Sequence, residues 1–337
     1  MDIIAVLSQE LSVPKTQIES AVKLMDEGNT IPFIARYRKE VTGGLDDTIL
    51  RNLEERLHYL RNLEKRKQEV LELIAASGKL DDKQMEQMQK ALEEAKMLSE
   101  VEDLYRPYKQ KRKTRASVAR EKGLEPLAKF MLMQKPGGDL EQEAARYINA
   151  EKGVEDVEQA LSGAGDILAE EISDSAQIRS RLREYLQKNA QISTTKGTKE
   201  NQIYDMYSEY SESVRRIAPH RILAIDRGER EEALKVSVEI DQQVCIGMIE
   251  NQVIHRNSPF AETLHTVCED SFKRLIFPSL ERELRAQLTE KACAQAIGVF
   301  SENLKNLLMQ PPVKNAVTLG LDPAYRTGCK LAVVDAT

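Results

Sequence analysis

Eight apolar side chains, Leu280, Leu284, Leu288, Ala292, Ala296, Phe300, Leu304 and Leu308, follow one another at steps of four until Pro311 and Pro312 end the run. Only an α-helix repeats on that scale. With Pro278 tolerated in a first turn, the ladder predicts one helix of roughly 30 residues, near 45 Å at 1.5 Å per residue. Such a rod bridges domains or forms a central spine. Elsewhere too the chain is poor in what all-β folds need: 16 Gly and 11 Pro in 337 residues, 5% aromatics and no Trp. That composition argues against a sandwich, propeller or barrel and for a mainly α, multi-helical protein. At roughly 100–200 residues per domain the length suggests two or three units, and 41% hydrophobic residues suffice for a core in each.

Four segments are expected. Residues 1–78 read as a helix-turn-helix-like module followed by a long helix. Within it Ile18, Val22 and Met25 form one stripe ended by Gly28, and short helices joined by tight turns meet the needs of that motif. A small bundle with no groove-reading role fits equally. Asp46 is a suitable N-cap for a helix with Leu50, Leu53, Leu57, Leu60, Val70 and Ile74 on one side and Gly78 at its end. Residues 79–200 form a central helical region, with Asp81 as a cap before Met85, Met88, Leu92 and Ala95. The polar stretch 191–202 reads as a loop, and Tyr204, Tyr207 and Tyr210 as a stripe on a helix. Residues 201–315 continue as helix around a small β element near 222–249, with Leu234–Ile240 and Val244–Ile249 as its two strands, and end in the spine helix. From 316 to 337, Leu319 and Leu321 alternate with polar residues, Pro323 to Gly328 turn the chain, and Leu331 and Val333 alternate again. This is a β-hairpin, and as a lone hairpin is marginal in water, it is expected to open a larger, truncated domain.

No phosphate-loop, dinucleotide, HExxH or GxSxG pattern occurs. The four His are scattered and the four Cys match no zinc template, so no metal or cofactor is expected. The cysteines suit a reduced, cytoplasmic setting, and no stretch approaches the ~20 apolar residues of a membrane span. The strongest electrostatic feature is the tract Arg106 to Lys122, where eight cations stand against Glu121 alone. Its net +7 sits on a remainder of −13, which together make the formal −6 of the chain. Such a segment can neutralise phosphates, with Tyr105 and Tyr108 offering π-faces beside it. A solvated loop pairing with acidic helices of its own chain is the competing reading.

Five stretches resemble the Tex family of bacterial transcription accessory proteins: IPFIARYRKEVTGGL from Ile31, DLYRPYKQKRKTRA from Asp103, AREKGLEPL from Ala119, HRILAIDRGE from His220 and GLDPAYRTGCKLAVVD from Gly320. The resemblance implies a helical N-terminal region with helix-turn-helix character, a long central helix, and the first hairpin of a YqgF domain related to RNase H. It implies a non-enzymatic scaffold that binds RNA or DNA largely independently of sequence. Lys109, Lys111, Arg112, Lys113 and Arg115 are the expected phosphate contacts, with Arg36, Arg38 and Lys39 as a second patch. Two alternatives stand beside it. One is a metal-dependent RNase H-like or resolvase-type nuclease, for which Asp322 matches the first-strand carboxylate. The other is a docking module for RNA polymerase or the ribosome.

Overall fold

A computed structural model describes residues 2–311, 314–323 and 328–335. The fold is mainly α. In chain order the helices begin with α1 (Ile3–Leu11), α2 (Lys15–Asp26), α3 (Ile31–Tyr37), α4 (Lys39–Thr42) and α5 (Asp47–Ser77). They continue with α6 (Asp82–Glu94), α7 (Leu98–Tyr105), α8 (Arg115–Glu121), α9 (Glu125–Met133), α10 (Leu140–Ala145), α11 (Val157–Asp174) and α12 (Ala176–Asn189). Strands β1 (Gln191–Lys196) and β2 (Glu209–Ser213), helix α13 (Pro219–Arg230) and strand β3 (Leu234–Glu239) follow. The last elements are α14 (Gln242–Val253), α15 (Ala261–Asp270), α16 (Phe277–Leu308) and the hairpin strands β4 (Thr318–Pro323) and β5 (Cys329–Val334). Two compact units divide the chain, one from residues up to Lys188 with Ile240–Glu281, the other from Asn189–Glu239 with residues from Arg282 onward.

In the first unit α5 serves two cores. Asp46 caps it by accepting the Ile49 N–H at 2.8 Å, and Gly78 ends it in the left-handed region. Leu50, Leu53, Leu57 and Leu60 pack with Leu7, Ile18 and Ile34 of the short helices before it, while Leu63, Val70 and Ile74 pack with Leu92 of α6, Ala95 just after it and Val101 of α7. Tyr59 touches both clusters. Asp81 and Gln84 form a reciprocal capping box at the start of α6. Further along, α11 buries Ala160, Ala164, Ile167 and Leu168, and Gly163 lets α8 and its following turn come close: a Cβ there would lie 2.4 Å from Leu124 Cδ1.

The second unit holds an antiparallel sheet of order β2-β1-β3, with Ile192 paired to both Glu212 and Val238. Three expectations are corrected here. Residues 191–196 are the central strand rather than loop; with Ile192 as the lone large apolar residue, the strand is held by its two neighbours rather than by an apolar face of its own. Tyr204 and Tyr207 lie in a 3₁₀ turn, Gln202–Tyr207, and Tyr210 lies in β2, so no helix carries the three. Residues i and i+3 eclipse in a 3₁₀ turn, which sends both Tyr204 and Tyr207 into the core. Finally Val244–Ile249 is not a strand but part of α14, capped by Asp241; β3 occupies the other half of the expected element. At Gly197 the backbone approach is closest, since a Cβ would stand 2.1 Å from the Glu232 carbonyl oxygen.

The ladder does form a 32-residue helix, α16, although Pro278 does not open a new one: α15 runs into it through a π-helical segment, Ser271–Ile276. Local unwinding of that kind accommodates a residue that has no N–H to donate. Steps of four advance about 40° around a helix of 3.6 residues per turn, so the ladder spirals instead of making one stripe. Its early members Leu280, Leu284 and Ala292 are buried, whereas Phe300 is 67% and Leu308 73% exposed. Thr289 Oγ1 donates to Asp226 Oδ2 at 2.6 Å and Arg285 pairs with Glu229, which ties α16 to α13 within the second unit. The hairpin forms as expected, with Asp322 opposite Lys330; its turn, residues 324–327, lies outside the described residues.

Candidate nucleic-acid interface

The basic tract begins where α7 ends and is anchored before it starts. Asp103, near the end of α7, accepts Arg179 Nε at 2.6 Å and Arg183 Nη2 at 2.6 Å, both from α12. Arg179 Nη2 also donates to Ser279 Oγ at 3.1 Å, which Arg106 Nη2 reaches at 3.4 Å. A 3₁₀ turn, Arg106–Tyr108, then releases the chain into the loop 109–114. The loop closes on a second fixed point. Thr114 Oγ1 accepts the Ser117 N–H at 3.0 Å and Ser117 Oγ accepts the Thr114 N–H at 2.8 Å, a capping box that starts α8.

Between these anchors the cations divide into two groups. Lys111 Nζ donates to Asp174 Oδ2 at 2.5 Å and lies 3.7 Å from Glu170, while Arg120 pairs with Glu170 at 2.8 Å and Glu171 at 3.6 Å. Lys122 Nζ is held by the Gly153 carbonyl at 2.7 Å. By contrast Lys109, Arg112, Lys113 and Arg115 are exposed and form no ion pair with a carboxylate among the described residues. Arg115 is near enough to favour the ionised form of Asp166. Of the five predicted phosphate contacts in this tract, then, four face water and Lys111 is occupied by α11.

For Lys111 and Arg120 the competing reading holds, and the acidic helix of the chain is α11, whose carboxylates were not foreseen as part of the site. Asp166, Glu170 and Asp174 recur at steps of four along one face, a pattern visible in the sequence. Burial raises the Asp174 carboxyl above its usual range, and the Lys111 hydrogen bond offsets this in part. Glu170 is also opposed by burial, but Arg120 and Lys111 outweigh it and hold the carboxyl below its usual range. A cleft of about 810 Å³ is lined by Lys109, Lys111, Arg120, Glu171 and Asp174, and another of about 740 Å³ by Lys113, Arg115 and Asp156. The basic loop is the ridge between them.

The second patch occupies the end of α3 and the start of α4, where Arg36, Arg38 and Lys39 are exposed. These helices pack against the Leu50–Leu60 part of α5, whereas the loop lines a cleft with Ala76 and Ser77 at the other end. The patches are therefore separated by about 30 Å along α5, and the structure does not bring them together. Asp322 lies on the exposed strand β4, and among the described residues no three His, Cys, Asp or Glu side chains gather as a metal site.

A family model described as the Tex-like protein N-terminal domain matches residues 1–75, and one described as Tex central region-like matches residues 135–300. The chain belongs to the Tex family. It is 46% identical to a Bacillus subtilis (strain 168) protein designated YdcI and 42% identical to the transcriptional accessory protein Tex of Neisseria gonorrhoeae, over 98% and 100% of this chain. It spans 46% and 45% of those two proteins. A human relative named S1 RNA-binding domain-containing protein 1 is 34% identical over the whole of this chain, which spans 35% of it. The basic loop of this Tex-family chain falls between the two matched stretches. Among the described residues no helix is long and apolar enough to cross a membrane.

Proposed function

We propose that this Tex-family chain is a non-enzymatic scaffold that binds RNA or DNA through the phosphate backbone, in the cytoplasm, as part of a transcription accessory protein. The observation that supports it is the loop 109–114 with Arg115: four exposed cations that form no ion pair among the described residues, on a segment fixed at both ends by buried or reciprocal hydrogen bonds. Exposed cations on a braced ridge can take up phosphates and release counterions without ordering the chain first. The names of the Neisseria and human relatives, one a transcriptional accessory protein and the other an S1 RNA-binding domain-containing protein, agree with that reading. Within it, α1–α4 serve as a helix-turn-helix-type module and the β4–β5 hairpin as the opening of a YqgF domain.

The test is charge reversal in the loop. Arg112→Glu with Lys113→Glu should weaken binding of a single-stranded oligonucleotide, and lower the slope of log K against log salt by about 0.7 for each phosphate that is no longer neutralised. An unchanged affinity and an unchanged slope would remove the loop from the interface.

A further inference from the structure

The patch on α3 and α4 is more than a set of cations. Phe33 and Tyr37 lie one turn apart with ring centroids at 5.4 Å, and the guanidinium of Arg38 sits 5.0 Å from the Phe33 centroid. Arg38 Nη1 also donates to the Tyr37 carbonyl at 3.0 Å, which holds the guanidinium in place. Phe33 is thus half-covered, but Tyr37 is 62% exposed. Tyr37 belongs to neither of the two core clusters built on α5, to which α3 contributes Ile31, Ile34 and Ala35. Arg36 and Lys39 flank the ring in sequence, and neither they nor Arg38 form an ion pair with a carboxylate among the described residues. Behind the patch Thr42 is fully buried, and the turn at Gly43 and Gly44 uses positive φ angles that other residues rarely adopt. The exposed ring therefore stands on a fixed support.

An uncovered aromatic face beside unpaired cations is the combination that binds single-stranded nucleic acid: bases stack while the backbone is neutralised. A duplex keeps its bases stacked on one another and offers only phosphates. We infer that Tyr37 is a stacking platform for an unpaired base, with Arg36 and Lys39 engaging the adjoining phosphates, which makes this end of the molecule selective for single strands. The inference deepens the proposed function, since it names the form of nucleic acid, but it stands on different residues from the loop.

The chain has no Trp, so Tyr37→Trp installs a single indole reporter. Titrating the 337-residue Tyr37→Trp chain with a 12-nucleotide oligouridine should quench that fluorescence to saturation, whereas an RNA duplex of equal length should bind without quenching. Tyr37→Ala should weaken oligouridine binding about tenfold, within the range for one stacked base, and leave the salt slope and melting temperature unchanged. Tyr37→Phe should restore affinity and Tyr37→Leu should not. Binding of oligouridine without quenching, or a Tyr37→Ala chain of undiminished affinity, would overturn the inference. If that variant is undiminished while Arg112→Glu with Lys113→Glu fails to bind, the stacking site alone is wrong. If the loop reversal is silent while Tyr37→Ala weakens binding, the loop reading alone is wrong. A chain that does not bind oligouridine at all overturns both.

Discussion

Arg179 donates its Nε to Asp103 Oδ1 at 2.6 Å with both side chains closed to water, 2% and 5% exposed. Burial disfavours the charged guanidinium of Arg179, so the interaction with Asp103 is what keeps a cation tolerable there. Asp103→Ala leaves Arg179 and Arg183 facing each other without that carboxylate. The expected loss is about 3 kcal/mol of stability, read as a drop in the thermal or urea midpoint. A loss under about 1 kcal/mol would show that the pair is dispensable for holding α7 on α12.

Lys111 is drawn away from phosphates by Asp174. Asp174→Asn removes a buried carboxylate whose Oδ1 has no hydrogen-bond partner among the described residues. The released Lys111 should then raise oligonucleotide affinity about two- to fivefold at low salt, measured by fluorescence anisotropy. Lower affinity in that variant would mean that the carboxylate positions the loop productively.

Stability also carries a pH signature at His265. Its Nδ1 hydrogen-bonds Glu250, and that bond with the Glu250 charge raises the imidazole above its ordinary value of 6.5. A raised histidine stabilises the fold fully below its unfolded pKa, and loses that contribution as pH rises through the folded one. The melting temperature of the native chain should therefore exceed that of His265→Gln at pH 5.5 and converge with it above pH 8. Parallel curves across that range would show that the pair does not titrate as described.

Gly197 tests the second unit. A methyl group there would meet backbone, 2.1 Å from Glu232 O and 2.7 Å from the Ala233 carbonyl carbon, so no side-chain rotation relieves it. Gly197→Ala should cost about 2 kcal/mol, in the range for overpacking. Hydrogen exchange should show the loss first in the amides of β1 and β3.

What could be read from residues alone followed the strength of local signals. The α5 helix, from its Asp46 cap through Leu50–Ile74 to Gly78, repeats the same message at every turn, and so does the capping box of α6. The strand β1 carries no such message, because its burial comes from lying between β2 and β3. Tyr204 and Tyr207 at a spacing of three suit a 3₁₀ turn as well as a helix, and Val244–Ile249 is too short a run to tell strand from helix. The cations of the loop were visible by charge. That Lys111 was occupied was not, since Asp174 lies 63 residues further along the chain. The exposure of Tyr37 belongs to the same class: the aromatic pair was in the sequence, but which ring the core would leave uncovered depended on how α3 docks on α5.

Because α5 lends one half of its length to each core and Tyr59 touches both, those two cores share a fate. The N-terminal family match stops at residue 75, yet a piece cut there would take Leu63, Val70 and Ile74 away from Leu92, Ala95 and Val101. Both fragments would be left with bare apolar surface. The boundary of resemblance is therefore not a seam along which the molecule can be divided: a piece that keeps the whole apolar side of α5 covered has to include Leu92, Ala95 and Val101.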